Sequence, residues 1–239
     1  MQNNILKENN TQTDTTNIRT HQIAEVQWHT RNLFELKIER DSLKFMPGDC
    51  VSIFHPSEKI SRPYSIASGI NEPHLSFLIR CMPEGVMTRW LAELKPGDKI
   101  SISHPYGWFR PGEAAENGHP FVFVATGTGI APFLSYLRSF PGKPPVGVYY
   151  GIKTLSEAVG ASEINKSCPL HLAISREKQQ EYFHGRVTQL VAMNKVDPNA
   201  HYYLCGLDSM IEDVTRLLES KGVSSFNIHT EVFFHASSE

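Results

Sequence analysis

The stretch "SRPYSIAS" (Ser61–Ser68) puts a cation, an aromatic ring and hydroxyls into one short apolar run. In an extended strand, alternation sends Arg62 and Tyr64 to one face and Ser65 to the other. A guanidinium beside a ring can hold something anionic and flat. The plainer reading is a barrel strand with a snorkelling arginine. In "VATGTGIAP" (Val124–Pro132) a buried strand leads through Thr126, Gly127, Thr128 and Gly129 into a helix. Glycines let the backbone approach a ligand, and free amides at a helix start attract an anion. The spacing is GxGxxP, so the dinucleotide fingerprint GxGxxG is not satisfied. "EGVMTRWL" (Glu84–Leu91) is a second anion candidate, through Gly85 and the Thr88 hydroxyl, with simple capping as the alternative.

Three more stretches carry reactive side chains. "AISREKQQEYFHGRVTQL" (Ala173–Leu190) places Ser175 and Arg176 at a strand end and Arg186 at the next helix start. Two arginines and a serine suit a phosphate monoester, and a solvated loop is the alternative. "YLCGLDSM" (Tyr203–Met210) ends an apolar strand with Cys205 and Gly206, and "HTEVFF" (His229–Phe234) sets Glu231 among apolar neighbours.

Residues from about His21 to Pro105 read as six short strands, "IAEVQWH", "LFELKIER", "DCVSIFH", "RPYSIAS", "LSFLIRCM" and "DKISISH", with one helix over Val86–Leu94. That spacing predicts an antiparallel β-barrel. "RPGEAAENGHP" (Arg110–Pro120) reads as a linker. Beyond it "PFVFVAT", "VGVYYGI", "LHLAIS" and "HYYLCG" alternate with helical stretches, which predicts an α/β parallel-sheet domain with both faces covered. The expected organisation is a disordered tail over 1–18, a barrel over 19–112 and an α/β domain over 119–239.

The chain has 239 residues, 40% hydrophobic and 20% charged, with net charge −2. That balance offers no bulk field for nucleic acid or acidic membranes, and no apolar run approaches the length of a membrane span. The polar N-terminus lacks a signal-peptide core. The expected setting is therefore cytoplasmic. The four cysteines, Cys50, Cys81, Cys168 and Cys205, form no iron–sulfur spacing, and the eleven histidines form no ligating pair. Reduced, mostly buried thiols and no metal are expected.

Taken in order, RxYS, GxxT, GTGIAP, SRE with a downstream arginine, CGxxxM and EVF resemble the ferredoxin–NADP(+) reductase family over about Ile23–Phe234. The resemblance implies an FAD-binding barrel followed by an NADP(H)-binding α/β domain. It implies that Arg62 binds the flavin pyrophosphate, Tyr64 stacks on the isoalloxazine and Ser65 bonds near flavin N5, with Pro63 between them. Leu78, Ile79, Arg80 and Cys81 would pass their backbone along the flavin. Gly85, Val86, Met87 and Thr88 would meet its pyrophosphate. Thr126, Gly127, Thr128 and Gly129, with Gly206, Leu207 and Met210, would face the pyridine nucleotide. Lys153, Ser175, Arg176 and Arg186 would take the 2'-phosphate of NADPH, and Glu177 follows Arg176 as it does in NADPH users.

Cys205 and Glu231 would line the hydride-transfer site together with Ser65. Phe233, or its neighbour Phe234, would cover the flavin. The implied reaction carries a hydride from NADPH to FAD and single electrons onward to a ferredoxin or flavodoxin, reversibly, in a monomer. The alternatives are an NAD(P)H:flavin oxidoreductase and an electron-transfer reductase component of an oxygenase system.

Overall fold

The computed structural model describes residues 18–233. The expected disordered tail, apart from Ile18, and Phe234 lie outside the described residues. Six antiparallel strands form the first sheet: β1 (Arg19–Thr30), β2 (Leu33–Glu39), β3 (Cys50–Phe54), β4 (Ser61–Ser65), β5 (His74–Arg80) and β6 (Lys99–Ile102), in the order β4-β3-β6-β1-β2-β5. No ladder joins the edge strands β4 and β5, so the expected barrel stays open along that seam. Its core is apolar: Phe34, Leu36 and Ile38 of β2 meet Val51, Ile53, Leu75, Phe77, Ile79 and Ile100. Helix α1 (Val86–Glu93) drops Met87 and Leu91 into it.

The second sheet is wholly parallel. It contains β7 (Phe121–Thr126), β8 (Gly147–Ile152), β9 (Leu170–Ile174), β10 (Phe183–His184), β11 (His201–Gly206) and β12 (Ile228–Val232), in the order β10-β9-β8-β7-β11-β12. Alternation in "FVFVAT" explains its unbroken apolarity. Phe121, Phe123 and Ala125 join one buried cluster with α2 (Ala131–Ser139) and α3 (Ala161–Ser167). Val122 and Val124 join another with α4 (Val187–Met193) and α5 (Asp208–Ser220). Phe123 and Phe133 stack at 4.3 Å and 7° in the first of these. Strand order reverses between β7 and β11, and ligands of such sheets bind outside the carboxyl ends at that reversal.

The stretch expected to be a linker is not loose. Pro111 and Gly112 are buried, and residues Glu113–Asn117 form a short 3-10 turn. The Ala114 amide donates to the Tyr203 hydroxyl at 3.1 Å. Gly112, with φ +79°, lies so close to the Tyr136 ring that a Cβ would sit 2.3 Å from it. The Gly/Pro content serves this close passage rather than mobility. Leu33 and Leu78 of the first sheet, with Ala67 and Phe109 of its connecting segments, join the cluster around Phe123, so one apolar cluster spans both sheets.

The turn after β7 is as tight. A Cβ on Gly129 would stand 2.4 Å from the Cys205 carbonyl oxygen, which is backbone and gives way only if β11 moves. Gly129→Ala is therefore expected to lower stability by about 1–3 kcal/mol, as overpacking does. A thermal melt of the variant checks this, and an unchanged midpoint would show that the turn has room to spare.

Candidate functional site

At the seam between the sheets, β4 of the first faces β11 and β12 of the second. Parallel register places Cys205 beside Glu231 and, on its other side, Ala125. Ser65 Oγ donates to Glu231 Oε2 at 3.3 Å, and Cys205 Sγ donates to the same oxygen at 3.7 Å. The three residues expected to act together are thus in contact although Ser65 and Glu231 lie 166 positions apart. Cys205 is fully buried, and burial, aggravated by the Glu231 charge, holds its thiol well above the usual range. Burial also pushes the Glu231 carboxyl up to about 7, against the Ser65 and Cys205 hydrogen bonds and the Arg110 charge, which draw it down. Cys50, pushed up to about 11 chiefly by burial, donates to the Tyr106 carbonyl at 3.3 Å near this cluster.

On β4, Arg62 is exposed, and its guanidinium bonds only to its neighbour's carbonyl, Ser61 O, at 2.8 Å among the described residues. Pro63 is exposed and Tyr64 is half-buried, its hydroxyl held above the usual range chiefly by burial. Ile79 is buried in the core of the first sheet, and Leu78 in the cluster shared with the second. Strand β5 is an edge, and an edge strand offers unpaired amides and carbonyls along one side. Cys81 follows, half-buried, its amide donating to Asn32 O at 2.8 Å.

Helix α1 starts at Gly85 with no side-chain cap and no acid in its first turn, leaving the Val86, Met87 and Thr88 amides to an anion. The Thr88 hydroxyl, expected to offer itself to a phosphate, is turned inward instead. It accepts from the Met82 amide at 3.0 Å and lies 3.3 Å from the Gly85 carbonyl, because the turn closes on it. The Met87 side chain is likewise core.

Across the seam, the crevice at the β7–β11 reversal is built from Thr126, Gly127, Thr128 and Gly206. Thr126 Oγ1 accepts from the Leu207 amide at 3.0 Å. Gly206, at φ +137°, leaves a Cβ no place, since Thr126 Oγ1 would be 2.2 Å away. Leu207 is exposed at the rim, whereas Met210, in the first turn of α5, is 4% exposed and lies in the cluster with Val124 and Leu204, so its side chain serves the core. At the carboxyl ends of β8 and β9, Lys153, Ser175 and Arg176 gather as exposed side chains, the Arg176 amide donating to Lys153 O at 2.9 Å. Burial and the nearby Arg80 and Arg176 charges draw the Lys153 amine down, with Glu157 opposing. Arg186, also exposed, precedes α4 on the same edge. The Glu177 carboxylate is occupied by the Leu155 amide at 2.9 Å and by Gln179.

Phe233 is half-buried. It packs on the cluster holding Leu78 and Cys205, and its amide donates to Gly206 O at 3.2 Å.

Sequence reasoning did not single out Glu157, a buried acid on the turn after β8 that bonds across the seam to Arg80. Nor did it single out Arg138 on α2, which donates to Ala67 O at 3.0 Å and pairs with Glu163. Neither stands in a motif, and the only available signal is an ionisable residue within an apolar stretch. A cavity of about 520 Å³ beside Arg138, lined also by His29, Glu35 and Lys166, includes none of the residues picked out in the sequence. No group of metal-ligating side chains occurs among the described residues, and none of their helices is long and apolar enough to cross a membrane.

Residues 18–110 match the oxidoreductase FAD-binding domain family, and residues 123–216 match the oxidoreductase NAD-binding domain family. The chain is 30% identical over 208 residues to the anthranilate 1,2-dioxygenase electron transfer component of Acinetobacter baylyi, covering 82% of this chain and 60% of that protein. It is 30% identical to the toluate 1,2-dioxygenase electron transfer component of Pseudomonas putida, over 88% of this chain and 66% of that one. The chain thus spans less than two thirds of the length of these two relatives. Against the ferredoxin–NADP reductase of Pseudomonas aeruginosa it is 29% identical, over 87% of this chain and 91% of the relative. Among solved structures, a ferredoxin NADP+ reductase from Neisseria gonorrhoeae superposes with TM-score 0.82 at 22% identity, over 91% and 99% of the two chains. At that identity the likeness speaks to the fold.

The raised carboxyl of Glu231 has a consequence for stability. The folded chain keeps a proton that the unfolded chain loses near the ordinary 4.5, so the folded-state pKa is the higher one. The corresponding stability is complete below about pH 4.5 and is lost as pH rises through about 7, by roughly 3 kcal/mol. Melts across that window should show this slope in the wild type and a flatter profile in Glu231→Gln. Parallel profiles would mean that the carboxyl titrates in the ordinary range.

Proposed function

This chain belongs to the ferredoxin reductase-like family of FAD- and NAD(P)-binding oxidoreductases, and from that premise we propose that it carries a hydride from NADPH to FAD and single electrons onward to a ferredoxin- or flavodoxin-type carrier, reversibly. Bound FAD would supply the hydride-accepting ring and the change from two-electron to one-electron transfer. The observation that carries the reading is the contact of Ser65, Cys205 and Glu231 across the seam, where the two cofactor sites adjoin.

The residues present fit both cofactors. Arg62 offers a guanidinium without an acidic partner among the described residues, and α1 offers uncapped amides, which together suit a pyrophosphate. Tyr64 and Phe233 supply flat apolar surface, and the free edge of β5 from Leu78 to Cys81 suits the polar rim of a heteroaromatic ring. Ser65 sits where its hydroxyl serves either the carboxyl or a ring nitrogen. Cys205, buried and held as the neutral thiol, shapes the floor on which a nicotinamide would lie. Glu231, poised near neutral pH, accepts from Ser65 and keeps the two sheets in register at the site. Water is excluded by the shared apolar core beneath. These residues position and desolvate, which is what hydride transfer asks of a protein.

Thr126–Gly129 and Gly206 would receive the nucleotide backbone. Lys153, Ser175, Arg176 and Arg186 would receive the 2'-phosphate. The Glu177 carboxylate, beside Arg176, is engaged by the Leu155 amide and by Gln179. A second reading, a reductase component of an oxygenase system, is favoured by the two dioxygenase electron transfer components at 30% identity. Anaerobic reduction assays with flavodoxin, ferredoxin and an oxygenase component as acceptors separate the two.

The purified protein should be yellow and release FAD, not FMN, on denaturation; a colourless protein that takes up no added FAD would end the proposal. Two charge-assisted phosphate contacts should give NADPH at least roughly a hundredfold advantage over NADH in kcat/KM. Arg176→Ala combined with Arg186→Ala should bring the cofactors within about tenfold, mainly through KM for NADPH. A wild type that already prefers NADH would make these arginines plain surface residues.

A further inference from the structure

The side chain of Arg80 leaves the first sheet and enters the second. Its Nη1 and Nη2 donate to Glu157 Oε1 and Oε2, each at 2.9 Å, and the two side chains are only 15% and 7% exposed. Glu157 Oε2 also accepts from the Lys153 amide at 3.3 Å. The Tyr150 hydroxyl lies 3.2 Å from the Glu157 carbonyl and 3.1 Å from the Gly127 carbonyl. Gly127 has φ +53°, and a Cβ there would point at Arg80 Nη2, 3.7 Å away. One connected set of bonds therefore joins the end of β5, the turn at Gly127 and the loop bearing Lys153.

A buried ion pair adds little net stability over apolar packing, yet its bidentate form fixes both distance and orientation. We propose that Arg80 and Glu157 form a positioning pair that sets the Gly127 turn and Lys153 at a fixed distance and angle from β5, and so sets how the pyridine nucleotide meets the flavin. The inference rests on the proposed function and deepens it. The Glu157 carboxyl, which burial alone would raise, is drawn below its usual range by Arg80, so the pair stays charged at neutral pH. Arg80 has been given a place along the flavin only through its backbone, and its side chain has this separate task.

The test uses the FAD-loaded protein. NADP+ is titrated and its dissociation constant is read from the flavin difference spectrum, alongside FAD content, a thermal melt and stopped-flow reduction by NADPH. Glu157→Gln is expected to retain one FAD per chain, to raise the dissociation constant roughly tenfold and to slow reduction, the scale on which coupled sites respond. Arg80→Lys keeps the charge but loses the two-pronged fork and should move the constant in the same direction. The charge-reversed pair, Arg80→Glu with Glu157→Arg, should recover part of the loss. If Glu157→Gln does not fold, Glu157→Asp and Arg80→Lys keep both charges and report the same constant. A constant within twofold of wild type, with only a lowered melting point, would assign the pair to stability alone and overturn the inference. A wild type that binds neither FAD nor NADP+ would instead overturn the function on which it rests.

Discussion

An apolar cluster shared by the two halves of the chain is the constraint on which everything else here depends. Leu33 and Leu78 of the antiparallel sheet, with Ala67 and Phe109 of its connecting segments, lie in one cluster with Phe123, Ala125 and Cys205 of the parallel sheet. The chemistry is divided between them, with Ser65 on one side and Cys205 and Glu231 on the other. A hydrogen bond of 3.3 Å across such a seam persists only if the apolar contact beneath it is stiff. Close packing thus does for this site what a covalent tether would do elsewhere. It also sets the price of burying a carboxyl, which is held protonated to near neutral pH because no hydrogen-bonded cation accompanies it.

Charge then orients what the apolar core joins. Arg138 reaches from α2 to the Ala67 carbonyl and holds Glu163, with Glu35 and Glu72 of the first sheet each 3.9 Å from its nitrogens. Ser135 donates to Ser68 O at 2.8 Å and Ser139 accepts from the Ile70 amide at 3.0 Å, so α2 is fastened to the first domain along its length. Arg110 pairs with Asp49 at 3.0 Å where the chain passes from one sheet to the other. Arg110 and Asp49 are well covered, at 28% and 9% side-chain exposure, whereas Glu72 and Glu163 stand 43% and 39% exposed beside Arg138, so salt screens the latter pairs more.

The local part of this structure was legible in the sequence. Alternation in "LFELKIE" and unbroken apolarity in "FVFVAT" separate a one-sided antiparallel strand from a parallel strand covered on both faces, and the glycines of "GTG" mark a turn pressed against a neighbour. The order of short motifs singles out Ser65, Cys205 and Glu231, and the fold adds that Ser65 and Cys205 each bond to Glu231. What local pattern could not reveal was the destination of side chains that leave their own element. The Thr88 hydroxyl has two readings in sequence, phosphate contact or simple capping, and in the fold it bonds within its own turn. Met210 sits in a matching motif, yet helix periodicity turns it into the core. Glu157 looks like any surface acid in "LSEAVG", and only the fold puts Arg80 opposite it. Arg110–Pro120 has the composition of a linker, but Gly112 passes tightly over Tyr136 and the Ala114 amide bonds to Tyr203.

Strand β12 is the last strand of the described chain, and it pairs only with β11, at the edge of its sheet. It alone brings Glu231. On a ribosome the antiparallel half, with Arg62, Tyr64 and α1, is made and can condense long before β12 emerges. Ser65 is therefore in place before its partner Glu231 is made. A contact across 166 positions is a non-local one, and non-local contacts slow folding. A chain halted before β12 emerges would hold the whole first sheet, with Ser65 in place, but not the carboxyl that Ser65 meets.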